Sequence, residues 1–265
     1  MRRSSFFWGV VVLLAGLLLL LNTLNIFVFN FWPVFWAIFL ILAGVWFLMG
    51  PRLYRRDWTE ESISIPLEGA SEAEVRFEHG AGRLNVNSAN LPGELLSGTI
   101  TGGVDKEIAH NGGILSAALS MQKVSFGIPF PSTDFKGFIW NLSVNRDLPM
   151  RLNFHTGAGE TTLDLSDTQV KELRIETGAS STKVTLPAKA GATRVMAKAG
   201  MASLEFNVPQ DVAARISLHT GISGSKVNTL RFPQNGDVYQ SPDFDSAANK
   251  VDIEIEAGMG GIEIR

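Results

Sequence analysis

The four histidines, His79, His110, His155 and His219, are the side chains best suited to chemistry near neutral pH. An imidazole can carry a proton or ligate a metal, so their spacing is weighed first. His155 and His219 occupy equivalent places in a repeated segment, and the two repeats between them carry Glu176 and Lys198 there. Stacked in chain order at about 4.8 Å per strand, the two rings would stand roughly 14 Å apart, too far to share a metal. A lysine in the same file repels cations, and both histidines read as solvent-facing. The acid pairs Asp164/Asp167 and Asp243/Asp245 lack the spaced oxygen ligands and closing glutamate of a calcium loop. Gly102-Gly103 and Gly112-Gly113 are followed neither by Gly-Lys-Ser/Thr nor by a helical pattern, so they read as turns, not phosphate loops. With no cysteine in the chain, thiolate metal sites, cysteine nucleophiles and disulfides are excluded. We expect no catalytic residue, no metal and no cofactor.

The charge distribution explains where such chemistry would have to sit. The 265 residues hold 23 Lys+Arg and 26 Asp+Glu, a net charge of −3. From Ser4 to Pro51, 48 residues, there is no Asp, Glu, Lys, Arg or His. Beyond Pro51 the balance is 21 − 26 = −5 once Arg2 and Arg3 are set aside. An acidic balance without a basic stripe removes the electrostatic basis for nucleic-acid binding.

The uncharged stretch contains two 19-residue apolar runs, Phe6 to Leu24 and Phe31 to Met49. Each spans about 28 Å as a helix, close to the hydrocarbon thickness of a bilayer. Asn22, Thr23, Asn25 and Asn30 interrupt them, and Pro33 suits a first helical turn, so residues 1–56 are expected to form a two-helix transmembrane hairpin. Arg2 and Arg3 precede it, Arg52, Arg55 and Arg56 follow it, and the connecting loop has no base. The positive-inside rule places both ends, and everything downstream, in the cytoplasm. A secretory signal peptide is the rival reading, disfavoured by the length of the run, the lack of a small-residue cleavage site and the second span.

Residues 57–265 are built on a repeat. Its six copies are Phe77-Glu-His-Gly-Ala-Gly-Arg-Leu-Asn-Val86, Phe154-His-Thr-Gly-Ala-Gly-Glu-Thr-Thr-Leu163, Ile175-Glu-Thr-Gly-Ala-Ser-Ser-Thr-Lys-Val184, Ala197-Lys-Ala-Gly-Met-Ala-Ser-Leu-Glu-Phe206, Leu218-His-Thr-Gly-Ile-Ser-Gly-Ser-Lys-Val227 and Ile255-Glu-Ala-Gly-Met-Gly-Gly-Ile-Glu-Ile264. The apolar ends of each copy suit a core, and the residue two before the key glycine suits water. The key glycines Gly80, Gly157, Gly178, Gly200, Gly221 and Gly258 suit a bend that needs positive φ or close backbone approach. Gly157, Gly178, Gly200 and Gly221 follow one another at 21, 22 and 21 residues. A near-constant step predicts stacked coils, because one unit cannot bury its own apolar face while neighbours can. The expected fold is mainly β, a single-stranded β-solenoid of about 21-residue coils, right-handed by the crossover rule. A β-sandwich is the alternative, and it does not account for the constant step.

Two stretches break the pattern. Within the 77 residues from Gly80 to Gly157 an insertion is expected to interrupt the stack. Its aromatic group Phe126, Phe130, Phe135, Phe138 and Trp140 fits either packing against the solenoid or a partner-contact surface. Arg231 to Asn249 reads as a surface loop. The final strand, reaching Arg265, then leaves an open parallel edge that could pair with a second copy.

The segments Leu20-Leu21-Asn22 and Phe31-Trp32-Pro33, with mid-span Gly16 and Gly44, resemble the LiaI/LiaF-type transmembrane region of bacterial envelope-stress proteins. Trp140-Asn-Leu-Ser-Val and the block from Leu148 through Thr156-Gly-Ala-Gly-Glu to Leu163-Asp-Leu165 resemble adhesin-like, or toast-rack, β-solenoid domains. The resemblance implies a non-enzymatic bacterial membrane protein. LiaF relatives act as negative modulators of a histidine kinase that responds to cell-wall-active antibiotics, so a membrane histidine kinase is the implied partner beside the bilayer. The alternatives are a self-assembling structural protein and, were the solenoid exported, a carbohydrate-active enzyme.

Overall fold

The computed structural model describes residues 13, 35–42, 44, 60–122 and 138–265. The chain divides into two units, one of Met1–Asp57 with Val124–Thr133 and one of the remaining residues. In the first unit, residues 35–42 are helical, with Phe35 stacked on Phe39 at 6.2 Å and Trp36 edge-on to Phe39 at 5.6 Å. Among the described residues no helix is long and apolar enough to cross a membrane. Most of both expected spans, and the basic flanks Arg2, Arg3, Arg52, Arg55 and Arg56, lie outside the described residues.

Among the described residues the second unit holds thirteen strands in one sheet: β1 (Glu60–Pro66), β2 (Glu72–Ala89), β3 (Glu94–Thr101), β4 (Val104–Asn111), β5 (Ile114–Met121), β6 (Ile139–Asn145), β7 (Pro149–Asp164), β8 (Gln169–Thr185), β9 (Ala192–Asn207), β10 (Ala213–Val227), β11 (Gln234–Asn235), β12 (Val238–Gln240) and β13 (Lys250–Ile264). Six of them, β2, β7, β8, β9, β10 and β13, contain one repeat copy each and pair in parallel. Each is long because it runs through its glycine corner, so the two halves form two sides of a coil, and short turns return the chain after β7, β8 and β9. Leu165, Leu186 and Val208 open three successive turns and are buried, which anchors each return to the interior.

The apolar files lie where the repeat puts them. Phe77, Phe154, Ile175, Ala197 and Ile255 are buried, as are Val86, Leu163, Val184, Phe206 and Ile264. The Phe77 and Phe154 rings stack at 4.7 Å and 5°. Volume is balanced inside a coil: where β9 has only Ala197 at one end it carries Phe206 at the other, while β8 has Ile175 with Val184. Native packing density requires such exchange.

Stacking does not follow chain order. Along the sheet the coils run β2, β7, β8, β9, β13, β10, so the last strand is wedged between β9 and β10. The outermost coil is β10, and the expected open edge at the final strand is corrected accordingly. The stretch Arg231 to Asn249, expected to be a plain surface loop, covers part of that coil. Phe232 and Phe244 are buried, and β12 pairs antiparallel with Arg215–Ser217 of β10.

The interruption between the first two copies conceals a seventh coil. β5 pairs in parallel with the first half of β2 and β6 with its second half. Together they complete one turn of the stack, and residues 123–137, between the two halves in sequence, lie outside the described residues. The repeat pattern does not reveal this coil because its two halves are separated by seventeen residues in sequence. β3 and β1 add antiparallel beyond β6, and β4 beyond β5.

Candidate functional site

At the bend of the coils the outer surface forms an open groove of about 910 Å³ lined by His155, Glu176, Lys198, Glu256 and His219 with the adjacent threonines, alanines and glycines. The outward file, read in spatial order, is Glu78, His155, Glu176, Lys198, Glu256, His219. Acidic and basic residues alternate without a break. A second outward file does the same: Glu74, Arg151, Glu172, Arg194, Asp252, Arg215. His155 Nδ1 is 3.1 Å from Glu176, Lys198 Nζ 2.9 Å from Glu256, and Arg215 Nη2 2.6 Å from Asp252. The carboxylate of Glu256 raises the Lys198 ammonium above its ordinary pKa by accepting its hydrogen bond.

Because β13 intervenes, His155 and His219 are four strands apart, roughly 19 Å at 4.8 Å per strand, farther than chain order implies. Among the described residues no cluster of three or more His, Cys, Asp or Glu could hold a metal. Glu176 and Glu256 flank Lys198 in the file, and each carboxylate has a basic partner within 3.1 Å. The groove is therefore a patterned polar surface in which Glu256 pairs with Lys198 and Glu176 meets the His155 imidazole, suited to recognising a complementary shape and charge pattern.

The key glycines are required by close approach and not by positive φ. A Cβ on Gly157 would stand 2.1 Å from the carbonyl oxygen of Gly80, and on Gly178, 2.7 Å from that of Gly157. Gly200, Gly258 and Gly221 repeat the contact at 3.1, 2.8 and 2.8 Å against the preceding coil in space. Gly80, with only Met121 Sδ at 3.7 Å, is the relaxed member. Positive φ falls two residues later, at Gly82, Gly159 and Gly260.

Of the aromatic group read as either packing or a contact surface, Phe138 and Trp140 are buried, the packing arrangement. Trp140 aligns with Leu84 on β2 and fills the interior of the concealed coil. Phe126, Phe130 and Phe135 lie outside the described residues. Trp140 also stands edge-on to His79 at 5.1 Å. His79 is 2% exposed, and burial pushes its imidazole from 6.5 down to about 4, against a smaller opposing effect of a backbone hydrogen bond with Phe138. Sequence reasoning left His79 without a role. Its signal was present: it stands one residue before the key glycine, on the inward phase, whereas His155 and His219 stand two before.

Arg231 is a further structural residue that the sequence did not single out. Its guanidinium donates to the carbonyls of Val208, Pro209 and Val212, tying the end cap to the turn before β10.

A coil stack of this kind, with alternating acidic and basic files outside and apolar files inside, defines a repetitive scaffold-type β domain. The model for the N-terminal domain of toast_rack, DUF2154, matches residues 55–207, and that for the LiaF transmembrane domain matches residues 2–58. The chain belongs to the toast_rack family, with a LiaF-type membrane region ahead of the β domain. Among solved structures, a provisionally described cell adhesion protein from Clostridium sporogenes shares the fold at TM-score 0.72 and 21% identity, over 78% of this chain and 99% of that one. A provisionally described adhesin from Bacteroides fragilis matches at TM-score 0.31 and 10% identity, over 78% and 97%. No curated protein matches the chain.

Proposed function

We propose that the protein is a two-pass membrane-anchored scaffold whose right-handed β-solenoid lies in the cytoplasm and modulates an envelope-stress histidine kinase by binding. The hairpin contacts partner helices within the bilayer, and the solenoid holds a cytosolic part of the kinase. The basic residues Arg2, Arg3, Arg52, Arg55 and Arg56 on either side of an uncharged stretch support this orientation.

The single observation that carries the reading is the pairing of opposite charges along the outward files of a solenoid attached to a LiaF-type membrane region. Such files offer a fixed pattern for recognition. The test is the output of the stress promoter in cells with and without this chain, before and after a cell-wall antibiotic. A negative modulator predicts raised basal output in its absence, restored to low by the full chain. Equal output in both strains would overturn the proposal.

A further inference from the structure

Three of the sheet's outer edges are blunted against further pairing. β1 carries Glu60, Glu61 and Pro66, β4 carries Asp105, Lys106, Glu107 and His110, and β11 is two residues long. Charges, proline and brevity are the usual protections of an edge. The outer half of β10 has none of them apart from Lys226. β12 covers Arg215–Ser217 only, and from Thr220 to Val227 the only paired neighbour among the described residues is β13. Ile222 is 84% exposed there and continues a ridge with Met259 and Met201. The equivalent repeat position in earlier coils is Ala81, Ala158 or Ala179, so large apolar side chains are confined to this end.

The charges of this edge identify what fits it. β10 contains Arg215, His219 and Lys226 and no acid. Its existing neighbour β13 contains Asp252, Glu254, Glu256 and Glu263 and a single base, Lys250. In register, Glu256 faces His219, Met259 faces Ile222, and Glu263 faces Lys226. A second copy of β10 paired in parallel register at this edge would set Lys226 against Lys226, which disfavours that self-pairing. The Lys226 side chain is 83% exposed even with Glu263 at 3.2 Å.

We infer that the open half of β10, Thr220 to Val227, is a strand-addition site for an acidic, extended segment of a partner protein. The segment would repeat the pattern that β13 presents: acid, two residues, a large apolar residue, three residues, acid. Backbone hydrogen bonds along the edge supply adhesion and the alternate side chains supply selection, as in other strand additions. The inference extends the reading of the solenoid as a binding domain. It can fail without that reading failing, because its test involves no kinase.

The test uses the full chain in lipid nanodiscs and a synthetic peptide with the sequence of residues 252–265. Binding is followed by fluorescence anisotropy and by hydrogen exchange at the amides of residues 220–227. The expected result is saturable binding with new protection of those amides, weakened at least tenfold by Lys226→Glu and by Ile222→Lys. The same peptide with lysines in place of two of its three glutamates, Glu256 and Glu263, should fail to bind. Ile222→Lys alters an exposed side chain, so its folding is checked by unchanged exchange in β7 and β8. The inference is overturned by binding that both variants leave intact, by absence of binding, or by protection confined to β9 as the peptide displaces β13. A concentration-dependent dimer that protects residues 220–227 before peptide is added would also overturn it, by assigning the edge to a second copy.

Discussion

His79 is the one histidine of the β domain that the fold removes from water, and its pKa gives the domain an acid sensitivity of definite sign. The unfolded imidazole titrates at 6.5 and the folded one near 4. Between those values the unfolded chain holds a proton that the folded chain lacks, so stability is fully present above 6.5 and falls as pH drops toward 4. The shift corresponds to about 3 kcal/mol. Urea unfolding at pH 7.5 and 4.5 should show the parent losing about 2–3 kcal/mol more than His79→Gln, and equal losses would contradict it. The corner glycines give a graded second expectation. Gly157→Ala, facing a carbonyl at 2.1 Å, should cost about 2–3 kcal/mol, while Gly200→Ala, at 3.1 Å, should cost under about 1 kcal/mol. Reversal of that order in thermal melts would show that the backbone contact is not what selects glycine. The sequence made these glycines visible by their spacing, and close approach was one of the two causes it offered. It could not choose between them, because φ depends on how neighbouring coils sit.

At the scale of the strand, the governing fact is the order β9, β13, β10. Chain-order stacking would place Arg194 beside Arg215 and Lys198 beside His219; inserting β13 puts Asp252 and Glu256 between those pairs. Individually, exposed ion pairs contribute little, but like charges directly opposite one another oppose a pairing. The alternation therefore selects the order more than it stabilises the sheet. Asp252→Lys combined with Glu256→Lys should destabilise the domain by about 1–2 kcal/mol and speed hydrogen exchange in β13. Glu254→Lys is the control, since its neighbours are Met196 and Ser217. An equal effect from the control would remove charge order as the cause. The repeat made each strand, its core files and its bend legible. The order was not, because apolar periodicity is the same in every copy and only the charges distinguish one neighbour from another. The concealed coil of β5 and β6 was missed for a different reason: its two halves are separated by seventeen residues in sequence, so no ten-residue copy of the repeat spans them.

For the whole molecule, the composition separated an uncharged N-terminal stretch from a repetitive β domain, and family membership supports both parts. The orientation proposed above rests on five arginines. A fluorescent reporter fused after Arg265 should be bright, and alkaline phosphatase at the same place inactive; an active phosphatase would put the solenoid outside and reopen carbohydrate chemistry. The candidate recognition surface was only partly legible. The outward file was visible in the repeat, but the alternation of its charges, the cap formed by Phe232 and Phe244, and the uncovered half of β10 all depend on where β13 inserts. The central claim is that the solenoid holds a signalling partner. Crosslinking in native membranes, with the full chain compared against a form lacking residues 57–265, tests it most directly. The account predicts that a histidine kinase is recovered with the full chain and is lost or strongly reduced without the solenoid; the same partners in the same amounts from both would contradict it.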